Sequence, residues 1–399
     1  MAMHIVLGRQ LGPDGYGIFA FGLGLGLLLG YVAPLGWQIG ITRWLTEYRD
    51  KDSPALARGA LRRSTQITLT VALVAAAVTA AIGWCFWPAT SLRTGFLIGS
   101  IIIVVTAQRG LARRQLMGFG KPRLAMFLDD TAVPVGVLGV VLAFPASDAA
   151  AALWIYAAVA AVLAGLCLLA VRAARPPAVA RAAPTYRTAE WWRTARPLTL
   201  ANVSRIALNR TDILLLGPLT DAATVGLYSA AHRLSYLMLF AQMVLSTLFS
   251  ARLANAYYSR NLVHLRRVFL FQWGLSTLPA GLFLFVFFTY GEPLLGFFFG
   301  AGFAEASPLL QLLGSAAFVS AATGPTATAL AMTERERGLS MSLLTGLALN
   351  IVVSVPAILL FGAVGAAAAT LLSSLVLNLW QLAIVRRMLQ TDAPNWGQL

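Results

Sequence analysis

The residues best equipped for chemistry lie inside apolar stretches. Asn202, Arg205, Asn209 and Asp212 follow one another at spacings of three, four and three, so on a helix they form one polar stripe, with Arg210 beside it. Counting along a helix from Pro197 puts Arg205 about 12 Å and Arg210 about 20 Å into that stretch. The next apolar run carries Tyr228, His232, Ser235, Gln242 and Ser246 on one side, with Arg233 adjacent. Such groups suit an anionic headgroup, because arginine stays protonated and offers planar, forked donors that match phosphate oxygens. A charge at a helix centre costs at least roughly 2.5–3.5 kcal/mol, so it faces either a cavity or a partner. Two readings of the stripe stand: the wall of a water-filled substrate cavity, or an internal salt bridge in which Arg205 or Arg210 neutralises Asp212. Asp129 and Asp130 are ion-coupling candidates as proton or cation sites, or else caps and pairing groups near the interface, and Asp212 joins them as a third carboxylate.

Composition identifies the elements that must position these groups. Of the 399 residues, 58% are hydrophobic and 11% charged, against roughly 45–50% and roughly 25% in a soluble domain. The mean hydropathy of +0.75 belongs to a chain whose solvent is mostly lipid. Eleven stretches approach spanning length: Tyr16 to Ile41, Thr65 to Trp87, Thr94 to Thr106 continuing toward Leu111, Leu124 to Phe144, Ala150 to Val171, Pro197 to Leu216, Val225 to Phe249, Val268 to Tyr290, Ser307 to Met332, Leu339 to Phe361 and Gly365 to Val385. Soluble dehydrogenase and nuclease readings fall away.

The net charge of +15 is a topology signal. Basic residues cluster in alternate connections, from Arg43 to Arg63, Arg109 to Arg123, Arg172 to Arg196, Arg252 to Arg267, Arg335 to Arg337 and at Arg386 and Arg387. The opposite connections hold only Arg9 and Arg93, so the basic set and the C-terminus are expected to be cytoplasmic. Short clusters between apolar runs also argue against nucleic acid as a partner. Cys85 and Cys167 sit within apolar runs and read as small hydrophobes. His4, His232 and His264 are too scattered for a metal cluster, so neither metal nor cofactor is expected. GFGKP at Gly118 to Pro122 lacks the spacing of a phosphate loop. The longest outer loop, Gly291 to Ala306, offers only Glu292 and Glu305, too little for an enzyme such as a polysaccharide polymerase or acyltransferase.

The chain divides near its middle. LGPDGYGIFAF at Leu11 to Phe21 echoes LGPLTDAATVGLYSA at Leu216 to Ala230, and a basic hairpin, GFGKPR at Gly118 to Arg123, recurs as TERER at Thr333 to Arg337. The expected organisation is an N-terminal bundle over 1–171, a basic, interfacial cytoplasmic linker over 172–196 with Tyr186, Trp191 and Trp192, a six-helix bundle over 197–389 and a cytoplasmic tail over 390–399. The first half has only Met1 to Gln10 where the second has the span Pro197 to Leu216, so most of a first helix is expected upstream of Met1. Gly22, Gly26 and Gly30, four apart, predict close helix packing. Pro34, Pro134, Pro279, Pro325 and Pro356 predict bends.

Four segments together resemble a known family: RQLGPDGYGIF at Arg9 to Phe19, GWQIGITRWLTEY at Gly36 to Tyr48, NRTDILLLGPLTDAATVGLYSAAHRL at Asn209 to Leu234 and LLFGAVGAAAATLLS at Leu359 to Ser373. The chain resembles the polysaccharide and O-antigen flippase branch of the multidrug/oligosaccharidyl-lipid/polysaccharide (MOP) exporter superfamily. The resemblance implies an all-α polytopic membrane protein, MATE-like, with two six-helix bundles around a central cavity. It further implies a flippase of the bacterial cytoplasmic membrane that moves an undecaprenyl-diphosphate-linked glycan between leaflets by alternating access, alongside polysaccharide-assembly proteins. Asp212, Gly226 and Tyr228 fit the family pattern, and Arg43 fits the basic end of its second helix; Asn202, Arg205, Asn209, Arg210, His232 and Arg233 are substrate-binding candidates from depth and periodicity alone. A cation-coupled drug exporter of the same superfamily is one alternative, opposed by the arginines of the Pro197 to Leu216 and Val225 to Phe249 stretches, and a membrane polysaccharide polymerase or acyltransferase is the other.

Overall fold

The computed structural model describes residues 1–87, 92–208, 210–333 and 335–390; Asn209 lies outside them, as do the side chains of Asn202, Arg205 and Asp130. No strand occurs among the described residues. The helices group into two units, Met1–Gly226 and Leu227–Leu399.

The first unit contains α1 (Ala2–Val32), α2 (Trp37–Asp50), α3 (Pro54–Phe86), α4 (Leu92–Gly118), α5 (Pro122–Met126), α6 (Ala132–Ala143), α7 (Ala149–Ala174), α8 (Pro177–Arg181), α9 (Thr188–Leu208), α10 (Thr211–Leu219) and the start of α11 (Ala222–Tyr258). A π turn at Phe127–Thr131 joins α5 to α6. The remainder of α11, with α12 (Leu262–Phe299), α13 (Ser307–Ala322), α14 (Thr326–Met332) and α15 (Glu336–Gln390), makes the second.

Among the described residues eight helices are long and apolar enough to cross a membrane, and the bent pair around Gly324 adds a ninth. The protein is therefore a multi-pass membrane protein. The longest helix, α15, reverses at Gly362, whose φ of 58° suits glycine. Its arms run antiparallel, with Gly346 against Leu377 and Gly338 against Ile384. That reversal and the interrupted α9–α10 pair account for the difference from eleven apolar stretches. Leu73, Val78, Phe86, Leu142, Phe144, Leu278 and Leu360 are more than half exposed, as lipid-facing residues should be.

In the first unit α4 is the central helix, touching α1, α2, α3 and α7. The small residues explain how it gets so close. Gly22 lies against Gly95, Gly26 against Ile102 and the Gly99 carbonyl, and Gly30 against Thr106, which is the close packing that the four-residue glycine spacing predicts. Gly26→Val should consequently cost about 1–3 kcal/mol through overpacking, read as a lower unfolding midpoint in detergent. An unchanged midpoint would show that α1 and α4 can separate without penalty.

Prolines act unequally. Pro34 sits in the turn between α1 and α2, where Leu35 and Gly36 both have positive φ, and Pro325 at the 42° break between α13 and α14. Pro279 and Pro356 are accommodated within helices. The expected interfacial segment is only partly on the surface. Tyr186 is exposed, but Trp191 is buried among Trp37, Trp44 and Trp192, its indole N–H donating to the Tyr48 hydroxyl at 2.8 Å. This aromatic cluster holds α9 against α2.

Candidate functional site

Arg109 was expected near the edge of the third stretch; α4 instead runs through it to Gly118, leaving Arg109 only 2% exposed. Its Nε lies 2.6 Å from Oδ1 of Asp129, while Arg113, one turn further along the same helix, donates from Nη1 to Oδ2 at 3.0 Å. Asp129 is thus a paired carboxylate held between two guanidinium groups. The π turn explains how it gets there, because the extra residue in that turn re-aims a side chain that an α-helix would point elsewhere. Arg109 also faces Tyr31 and Tyr156.

A cavity of about 130 Å³ opens beside this triad, lined by Tyr31, Gln38, Gly110, Arg113, Arg114, Asp129 and Ile206. Two bonds anchor its wall: Gln38 Nε2 donates to the Tyr31 carbonyl at 3.2 Å, and the Thr42 hydroxyl donates to the Arg114 carbonyl at 3.0 Å. Arg113 and Arg114 line the cavity with Asp129, whose carboxylate is already paired with Arg109 and Arg113, so the basic groups of the region outnumber its one acid. Chemically it is a polar, half-open place for an anion, bounded by the aromatic ring of Tyr31. Sequence reading missed Arg109, Arg113, Arg114, Tyr31 and Gln38 because a run of arginines at the end of an apolar stretch reads as a loop. The available signal was the four-residue spacing of Arg109 and Arg113, which faces both to one side of a helix.

The Pro197 to Leu216 stretch departs from a continuous helix. α9 ends at Leu208, Arg210 has non-helical backbone at the N-cap of α10, and Asp212 lies buried in the first turn of α10. Depth counted along one helix therefore does not apply to Arg210 and Asp212. A carboxylate in a first turn meets the positive end of the helix dipole, which favours Asp212 where it stands.

In the second unit the polar groups of α11 mostly hold helices together. The Tyr228 hydroxyl is 3.4 Å from that of Thr370, Gln242 donates to the Ser320 and Gly324 carbonyls, and Gln272 donates to Ser246. His232 stacks on Tyr228 at 6.3 Å between centroids, and Arg233 beside it is half-buried. A further buried network, unforeseen from sequence, links Thr323 and Ser320 to Asn378 and Ser342 and Thr326 to Gln381. Interhelical hydrogen bonds of this kind replace the missing hydrophobic drive inside a membrane.

Arg43 is exposed on α2, one turn from Glu47. Lys51, at 2.8 Å, and then Arg43 hold the Glu47 carboxyl below the usual carboxylate range. Arg43 is thereby part of a surface charge cluster rather than a lining residue of the 130 Å³ cavity. Glu292 and Glu305 are both exposed, on an extension of α12 and a short 3-10 turn.

Residues 1–253 match a family model described as polysaccharide biosynthesis protein. No curated protein sequence matches the chain. Among solved structures, an inward-facing multidrug resistance MATE family transporter of the MOP superfamily aligns over 98% of this chain and 95% of its own, with a TM-score of 0.77 and 13% identity. The lipid II flippase MurJ in an inward closed conformation aligns over 96% and 86%, with a TM-score of 0.70 and 12% identity. A MOP superfamily transporter from Pyrococcus furiosus aligns over 97% and 94%, at 0.55 and 11%. These likenesses establish the all-helical MATE-type fold.

Proposed function

Because the chain belongs to the polysaccharide biosynthesis protein family, we propose that it is a flippase that moves a polyprenyl-diphosphate-linked glycan across the bacterial cytoplasmic membrane. The observation that carries this reading is the cavity beside Asp129, lined by Arg113 and Arg114 while Arg109 and Arg113 already pair with the carboxylate, inside the segment that matches the family. A diphosphate cannot cross hydrocarbon unaided, since an isolated buried charge is prohibitively costly. Guanidinium groups replace its water with charge-assisted hydrogen bonds, while the prenyl tail stays in the bilayer. Arg113 and Arg114 are the residues we assign to the diphosphate. Arg109, whose Nε lies 2.6 Å from Asp129, holds the carboxylate in place.

Arg205, Arg210 and Arg233, with Asn202, Asn209, His232 and Arg43, are proposed as further contacts along the headgroup's path. Asp130 and Asp212 are the proposed ion-coupling carboxylates. Asp129 is the weaker choice for that role, because a carboxylate between two guanidiniums has no charge left for a cation. The same surplus of arginine disfavours a cationic drug as cargo.

The test uses the purified full chain in proteoliposomes loaded with a fluorescent polyprenyl-diphosphate disaccharide, following how fast inner-leaflet probe becomes accessible to a membrane-impermeant quencher. Wild-type protein should speed this exchange well above protein-free vesicles. No acceleration would refute the reading. Arg210→Ala should slow exchange about tenfold or more, the loss expected for charge-assisted hydrogen bonds worth about 1.5–3 kcal/mol. Arg210→Lys should recover part of it, since lysine keeps the charge without the fork. Full activity of Arg210→Ala would leave Arg210 as a structural residue at the α9–α10 break.

A further inference from the structure

A second cavity, of about 440 Å³, opens on the first unit and is lined by Arg58, Leu61, Arg62, Thr65, Gln66, Leu69, Gln115 and Arg175. Arg58 and Arg62 are one turn apart on α3, Gln115 comes from α4, and Arg175 caps the end of α7. Since α3 and α7 both pack on α4, α4 forms the floor. Three arginines converge here and, among the described residues, no carboxylate lines the site. Like charges at a four-residue spacing repel, and an anion between them would relieve that repulsion.

Arg58 is anchored, with Nη1 donating to the Ala182 carbonyl at 2.7 Å. Arg175 is not: its Nε is buried and has no hydrogen-bond partner. Burial, together with the positive charges of Arg58 and Arg172, pushes its guanidinium below the usual arginine range. A buried donor without an acceptor is costly, and a phosphate oxygen would satisfy it. The wall continues in apolar character. Along α3, Arg62, Gln66, Leu69 and Leu73 follow one face, with Leu69 39% and Leu73 52% exposed. Seven and six residues before Arg175, Leu168 and Leu169 are exposed on α7. A polar, cationic mouth leading to a bare hydrocarbon face is the shape of one lipid.

We propose that this cavity binds the phosphate of an anionic phospholipid, with Arg62 and Arg175 on the phosphate and Leu69 and Leu73 along an acyl chain. An anionic headgroup fits better than a zwitterionic one, because the described lining holds three arginines and neither a carboxylate nor an aromatic ring to balance an ammonium. Basic pockets between membrane helices at the headgroup level work in this way.

The test is native mass spectrometry of the purified full chain in detergent, titrated with phosphatidylglycerol or with phosphatidylcholine of the same acyl chains. Phosphatidylglycerol should bind more tightly, and Arg62→Gln and Arg175→Gln should each weaken it about fivefold while leaving phosphatidylcholine unchanged. Equal binding of the two lipids, or unchanged phosphatidylglycerol binding in the variants, would overturn the proposal. Displacement of phosphatidylglycerol by low millimolar inorganic phosphate would also overturn it, by showing a site for the free anion. Arg62 is exposed, so Arg62→Gln alone decides the matter if Arg175→Gln does not fold. The assay contains no glycan, so its failure leaves the transport reading intact.

Discussion

Asp129→Ala should destabilise the protein by about 3–5 kcal/mol, the range for breaking a buried ion pair by removing one partner. The substitution strands Arg109, which is 2% exposed and whose Nη1 makes no hydrogen bond even with Asp129 present. Asp129→Asn should fall between wild type and Asp129→Ala, because the amide keeps the shape and one acceptor while losing the charge. The pair Arg109→Met with Asp129→Leu should recover much of the loss, since removing both charges removes both desolvation penalties. Chemical unfolding in mild detergent measures all three. If Asp129→Ala unfolded at the wild-type midpoint, the triad would not hold α4 to the π turn, and Asp129 would be open again as a coupling site.

The second large effect concerns transport. Arg113→Ala with Arg114→Ala should slow flipping of the diphosphate-linked probe about 100-fold or more, given two lost sets of charge-assisted hydrogen bonds at about 1.5–3 kcal/mol each. Arg114→Ala alone is the cleaner variant, because Arg113 also touches Asp129 at 3.0 Å and its loss carries a stability cost. Lysine at both positions should restore a minor part of the rate. Protein level and unfolding midpoint separate a transport defect from a folding one. A double alanine variant that folds and flips the probe at the wild-type rate would remove this cavity from the substrate path.

Several features were legible in the sequence for simple reasons. A hydrophobic fraction of 58% with 11% charge admits only a membrane solvent, and helix-length apolar runs admit only helices there. Gly22, Gly26 and Gly30 encode their own partner surface, because a stripe without side chains packs best against a backbone that can approach it, and α4 does. The family resemblance rested on local segments such as LGPDGYGIF, and local segments survive in sequence.

What the sequence alone determined was therefore the class of the chain, its solvent, its helical content and its family. The tertiary structure decided which charges meet. Arg109 and Arg113 lie sixteen or more residues from Asp129 along the chain, and only the packing of α4 against the π turn brings them to 2.6 and 3.0 Å. In the same way the helix break at Arg210 undid a periodicity that assumed one continuous helix, and Trp191 entered the core because the Tyr48 hydroxyl was there to accept its N–H. Hydropathy follows from composition over some twenty neighbouring residues. Pairing of buried charges depends on side-chain direction across helices, which changes with a single extra residue in a turn and leaves no local trace in the sequence.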